Sequence, residues 1–192
     1  MSVFKIKRAV SENIKLKKSL IKNYKNIEKI KNKILDCLKS SGKVFICGNG
    51  GSAADAQHLA AEFMVRLRPN INRNPYPVIS LALDTSTLTA CSNDYGYNNI
   101  FSRPLDALAS KKDVLIIIST TGKSKNIIKV LKLAKKKKII SIGFLGRGGG
   151  EAKSLCNLNY LVPSNNVSRI QETHIFLGHL IFELVEDGLL MK

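Results

Sequence analysis

The sequence predicts an α/β fold in which a parallel sheet is buried on both faces by helices. Five short apolar runs have strand length: VFIC (44–47), VISLAL (78–83), VLIIIS (114–119), IISIGF (139–144) and LNYLV (158–162). Helical patterns separate them, at 52–66, near 98–109, at 123–137 and at about 150–156. Alternation of strands with helices predicts parallel strands, because each helical crossover returns the chain to the same end of the sheet, and runs apolar at nearly every position are covered on both sides.

Residues 5–40 lack Pro and Gly and carry Ile14, Leu16, Leu20, Ile21, Ile27, Ile30, Ile34, Leu35 and Leu38 at helical spacing, so one or two amphipathic helices precede the first strand. Gly42 ends them. After the last strand, the stretch NNVSRIQETHIFLGHLIFELVEDGLL reads as a long helix beginning near Asn166 or Ser168 and fraying near Gly188. Its apolar residues cover more than one stripe, which predicts packing on a second chain as well as on its own sheet. A chain of 192 residues suits one domain, with residues 1–40 forming the leading helices and 43–192 the sandwich.

Composition excludes several classes. Hydrophobic residues make up 44% and charged residues 23%, which is ordinary for a globular protein. No apolar run approaches the roughly 18 to 20 residues of a bilayer crossing, and MSVFKIKRAV lacks the apolar core of a leader, so a cytoplasmic location is expected. Cys37, Cys47, Cys91 and Cys156 form no CxxC pair, so they read as reduced structural thiols. The net charge of +17 is carried by 24 lysines and only 7 arginines, and residues 1–40 hold 12 basic against 3 acidic residues. Lysine spread along helices with few aromatics is a solvated face, and a nucleic-acid partner is not expected.

Chemistry is expected in three polar loops beyond the strand ends, GNGGS after the first strand, DTSTLTACSNDYGYN (84–98) after the second and STTGKS after the third, where open α/β sheets bind ligands. STTGKS (119–124) follows a buried strand and opens a helix, whose outward amides, with the hydroxyls of Ser119, Thr120, Thr121 and Ser124, suit a phosphate monoester. It is not a nucleotide P-loop, since position 117, where that pattern needs Gly, is Ile. GNGGSA (48–53) approaches a dinucleotide fingerprint, but no acidic residue follows at the required distance. The helix after it is rich in alanine and carries His58 and Glu62 at i and i+4, on one side. Such a pair can share a metal ion or act as acid and base; spacing alone favours an ordinary surface pair, and the glycine loop before it shifts the balance to function. The last helix adds Gln171, Glu172, His174 and His179. Gln171 and His179 stand about 12 Å apart along a straight helix, so they reach one ion only by leaning together or from different subunits. His174 lies on another side and reads as a core or interface histidine.

Four segments in this order, GNGGSAADAQHLAAEF, SNDYGYNNIFSRPLDAL, KDVLIIISTTGKSKNII and RIQETHIFLGHLIFELVE, resemble the sugar isomerase (SIS) domain proteins, and among them the phosphoheptose isomerases. The resemblance spans nearly the whole chain. It implies a flavodoxin-like three-layer α/β/α sandwich with a five-stranded sheet, assembled as a homotetramer with active sites between subunits. It implies conversion of sedoheptulose 7-phosphate to D-glycero-D-manno-heptose 7-phosphate, with one zinc ion per subunit held by His58, Glu62, Gln171 and His179. By the same resemblance Glu62 and His179 are acid/base residues, and Asn49, Gly50, Gly51, Asn93, Asp94, Ser119, Thr120, Thr121 and Ser124 contact substrate, with Ser52 beside them and Glu62 and Gln171 also facing it. The family usually has STSGNS where this chain has STTGKS, a change that keeps the hydroxyl and adds Lys123. A non-catalytic relative that binds the bacterial replication initiator shares SAADAQH, and a phosphosugar sensor would bind the same ester without converting it.

Overall fold

The computed structural model describes residues 2–191. Two helices lead: α1 (Ser2–Lys22) and α2 (Tyr24–Lys39), broken at Asn23. Then follow β1 (Val44–Gly48), α3 (Gly51–Met64), β2 (Val78–Ser80), α4 (Thr85–Tyr95), a 3₁₀ turn (Tyr97–Asn99) and α5 (Ser102–Leu108). The second half comprises β3 (Val114–Ser119), α6 (Lys125–Lys136), β4 (Ile140–Leu145), a second 3₁₀ turn (Arg147–Gly149), α7 (Gly150–Leu155), β5 (Leu158–Leu161) and α8 (Val167–Leu190).

All five strands are parallel, in the order β2-β1-β3-β4-β5, the flavodoxin-like order. β1 and β3 are buried at every position, as their uninterrupted apolar sequences predict. Alternate residues feed two cores. Ile46, Ile116, Ile118 and Phe144 join the helical face of α1, α2, α3 and α8, while Phe45, Leu115, Ile117 and Leu145 join α5, α6 and α7 on the other. The order reverses between β1 and β3, so the loops leaving these strands diverge and open a crevice above the sheet.

Three expectations need correction. The stretch 84–98, read as loop, contains α4: the Asp84 side chain accepts the amide of Ser86 at 3.0 Å and the Thr87 hydroxyl, an N-cap that starts a helix from residues of poor intrinsic propensity. β2 is shorter than the run 78–83 because the Ser80 hydroxyl accepts the amide of Ala82 at 3.2 Å, turning the chain out of the sheet. α8 does not fray at Gly188 but continues to Leu190. That glycine faces Leu35 of α2, and a Cβ there would stand 2.7 Å from Leu35 Cδ2. The expected cap at its start is present, with Asn166 accepting from the amide of Ser168 at 3.1 Å.

Candidate active site

Two strand–loop–helix units meet at the reversal of strand order. In the first, β1 ends at Gly48, where a Cβ would lie 2.6 Å from the Ser52 carbonyl oxygen, so only glycine lets α3 start so close to its strand. Gly50 has φ +57°, a left-handed conformation that suits glycine. α3 then runs against α8, and at the crossing Leu59 sits over Gly178, whose added Cβ would be 2.6 Å from Leu59 Cδ1. This close approach puts His58 and Glu62 beside His179.

The three side chains form one cluster. Glu62 Oε1 is 3.2 Å from His58 Nε2 and 3.2 Å from His179 Nε2, and the two imidazole nitrogens are 2.9 Å apart. Two ring nitrogens that close cannot both present lone pairs unless a proton or a cation lies between them. Glu62 Oε2 is buried and has no hydrogen-bond partner, an acceptor whose desolvation is uncompensated within the protein. One ligand atom from each residue lies within 4.8 Å of the others, and a nitrogen/oxygen set of this kind suits a divalent ion such as zinc. Asp55 lies close enough to feel both imidazoles: burial raises its pKa, and the charges of His58 and His179 oppose that rise.

Gln171 lies on the same helix as His179, about two turns earlier. Its amide Nε2 would stand 2.9 Å from a Cβ on Gly51, at the start of α3, about 10 Å along the helix from His58. His174 is wholly buried in α8, with its ring 6.5 Å from that of Phe144 and neither ring nitrogen given a partner of acceptable hydrogen-bond geometry. Burial pushes its pKa down to about 4, against a weaker opposing pull from the Leu145 backbone.

In the second unit, β3 ends at Ser119, whose buried hydroxyl oxygen accepts the amide of Gly122 at 3.0 Å and tightens the loop. Thr121 accepts the amide of Lys123 at 3.3 Å. Ser124 is the N-cap of α6, yet its side chain makes no capping bond, so its hydroxyl and the amides of Lys125 and Asn126 are available to an anion, while the Ile127 amide is taken by Asn126 Oδ1 at 2.9 Å. Gly122, at φ +62°, faces the glycine run 148–150, where an added Cβ would meet the Gly149 oxygen at 1.8 Å. The amide of Ala152 bonds the Gly122 carbonyl at 3.0 Å.

Asn49 joins the two units. Its amide pairs with that of Asn126 in α6 through two hydrogen bonds, 3.0 and 2.8 Å, and the Tyr97 hydroxyl donates to Asn49 Oδ1 at 2.9 Å. Asn93 and Asp94 sit exposed on the last turns of α4, hydrogen-bonded to each other at 2.8 Å, just before Tyr97. Sequence reasoning missed Asn126, Tyr97 and Gly178. A lone amide on the apolar face of NIIKVL and a glycine beside a helical histidine were the available signals.

A family model for the SIS domain matches residues 11–146. The chain is 43% identical over 187 residues to the phosphoheptose isomerase of Clostridium acetobutylicum, covering 96% of this chain and 94% of that protein. The chain belongs to the SIS-domain phosphoheptose isomerases. Two solved phosphoheptose isomerases share its architecture: that of Neisseria gonorrhoeae, at TM-score 0.90 and 34% identity over 97% of this chain and all of the other, and that of Francisella tularensis, at TM-score 0.92 and 30% identity over 97% and 99%. In this chain of the family, the glycine loop and the Ser/Thr loop lie on either side of the reversal in strand order.

Proposed function

We propose that the protein converts sedoheptulose 7-phosphate to D-glycero-D-manno-heptose 7-phosphate, supplying the aldose for a nucleotide-activated heptose. The observation that carries this reading is a carboxylate, Glu62, held 3.2 Å from two imidazoles, in a chain whose β3–α6 loop also offers a hydroxyl-rich helix N-terminus to an anion. Aldose–ketose exchange needs a base that removes a proton from C1 and returns it to C2, and a second group that moves a proton between the two oxygens. Glu62 takes the C1 proton as the C2 carbonyl oxygen gains one, giving the enediol; it then delivers a proton to C2 while O1 loses its own. His179 handles the oxygen protons. Ser119, Thr120, Thr121 and Ser124, with the α6 amides, hold the phosphate, and Asn49, Gly50, Gly51, Ser52, Asn93 and Asp94 line the sugar. We assign zinc to His58, Glu62 and His179, with Gln171 as a fourth ligand; when bound it polarises the carbonyl.

We read the whole chain as one domain working in the cytoplasm as a homotetramer. An apolar groove of about 540 Å³ between α1, α2 and α8, lined by Leu20, Ile21, Tyr24, Phe176 and Leu184, supports subunit packing. We read the active sites as lying between subunits. Among the described residues no helix is long and apolar enough to cross a membrane. All four cysteines are unpaired, and burial pushes Cys37 up to about 11 and Cys156 to about 12, which keeps these two as inert thiols.

Purified protein given sedoheptulose 7-phosphate should form the aldose, and Glu62→Gln should not. Absence of turnover with and without added zinc would leave a binding protein or sensor; calorimetry with the same ester separates those two.

A further inference from the structure

The segment between α3 and β2, residues 65–77, has no regular structure, yet it contains one of the most buried charges in the molecule. Arg73 is only 2% exposed and bonds Glu186 Oε1 of α8 at 2.5 Å. Three of its four remaining N–H groups go to the carbonyls of Glu62 at 2.9 Å, Phe63 at 3.0 Å and Asn74 at 3.1 Å. Its guanidinium also lies 5.1 Å from the ring of Phe63 and 5.4 Å from that of Tyr76. Glu186 is fully buried and takes a second arginine, Arg68, at 2.5 Å; Arg68 also bonds Asp187 at 2.6 Å and is 31% exposed.

The carbonyls of Glu62 and Phe63 belong to the last turn of α3, where the helix has no donors left to offer, and a cation is favoured at that end. Glu186 lies seven residues beyond His179, two turns along the same face of α8. Arg73 therefore links the turn of α3 that carries Glu62 to the face of α8 that carries His179. The other ties between these helices near the cluster are apolar: the Leu59–Gly178 contact and the buried ring pair Phe63–Phe182, with centroids 4.4 Å apart. Apolar contacts hold two helices together without directional bonds; the charged, hydrogen-bonded bridge beyond Glu62 adds the directional constraint that sets their angle.

We propose that Arg73, seated on Glu186, is a positioning residue that fixes the separation of the Glu62 carboxylate and the His179 imidazole. This rests on the isomerase reading for its kinetic consequence, though not for its geometry. A displacement of about 1 Å at reacting groups costs on the order of 100-fold in rate, so the bridge acts on turnover without touching substrate.

Arg73→Met alone leaves Glu186 short of a partner and is expected to fold poorly. The informative variant is Arg73→Met with Glu186→Met, which removes both buried charges together and keeps a packed interior. It should fold with a melting temperature near that of the wild type while kcat falls about 10- to 100-fold and KM stays within about threefold. Arg73→Lys should do the same, since an ammonium cannot span a carboxylate and two carbonyls. Arg68→Met, which cuts the outer half of the network and none of the α3 carbonyl bonds, should lower the melting temperature and leave kcat intact. The crystal structure of the double variant should show Glu62 and His179 beyond 4 Å. A folded double variant with wild-type kcat, or with Glu62 and His179 still in hydrogen-bond contact, overturns the proposal. A wild-type protein without turnover counts against the isomerase reading, and the crystallographic comparison then still decides the bridge.

Discussion

The units built on β1 and β3 are the same device put to different uses. Each is a buried parallel strand ending in a glycine-containing loop that starts a helix at the reversal of strand order. In the first, the working groups sit in the second to fourth turns of α3, and the glycines only bring the helix close enough to deliver His58 and Glu62 to His179. In the second, the working groups are the loop hydroxyls and the N-terminal amides of α6, and the rest of that helix is scaffold. A helix interior places side chains for proton transfer, whereas a helix start offers backbone dipoles to an anion. The two units should therefore fail differently: damage to the first lowers kcat, and damage to the second raises KM.

The largest effect expected is that of Glu62→Gln, which keeps shape and removes the base. It should lower kcat by about 10²- to 10⁴-fold with little change in KM, measured by coupled turnover at saturating substrate. Gly178→Val comes next. Its side chain would displace Leu59 and push α3 off α8, an overpacking cost of roughly 1–3 kcal/mol read as a lower melting temperature, with kcat reduced in the fraction that remains folded.

Acid sensitivity must be separated from these kinetic effects. His174 is neutral in the folded state with a pKa near 4, against an ordinary value of 6.5. The unfolded chain therefore binds the extra proton first as the pH falls. The stability this group contributes is fully present above about pH 6.5 and is lost between pH 6.5 and 4, by roughly 3 kcal/mol. His174→Leu should flatten that window in chemical denaturation, and kinetic pH profiles are best read above it.

How much of this was legible in the sequence differs between the units. β1, β3 and β4 announced themselves because strands buried on both faces admit almost no polar residues. His58, Glu62 and the Ser/Thr loop were visible because each follows a strand end. α4 was not, since its Thr, Ser and Asn residues are those of a loop and only the cap at Asp84 turns them into a helix. The Asn49–Asn126 pair and the Arg73–Glu186 bridge were invisible for a different reason. Each joins residues 77 and 113 positions apart, and no local pattern marks which buried amide or charge will meet which. The approach of the Gln171 amide to Gly51 at the start of α3 is likewise a long-range contact that spacing along one helix does not reveal.

Smaller changes sharpen the contrast in the second unit. Ser124→Ala removes a hydroxyl that caps nothing and should raise KM about tenfold, the loss of one charge-assisted hydrogen bond, with kcat unchanged. Lys123→Gln should raise KM only about two- to threefold at low salt and not at all at high salt, because an exposed lysine acts through a screened field.

The central claim is that Glu62 takes a proton from C1, exchanges it with solvent while the enediol is bound, and returns one to C2. Running the isomerisation in heavy water and locating deuterium in the aldose by NMR tests it directly. Deuterium at C2 of the product, together with loss of turnover in Glu62→Gln, is the predicted result. An aldose free of deuterium at C2, formed just as fast by Glu62→Gln, would contradict it.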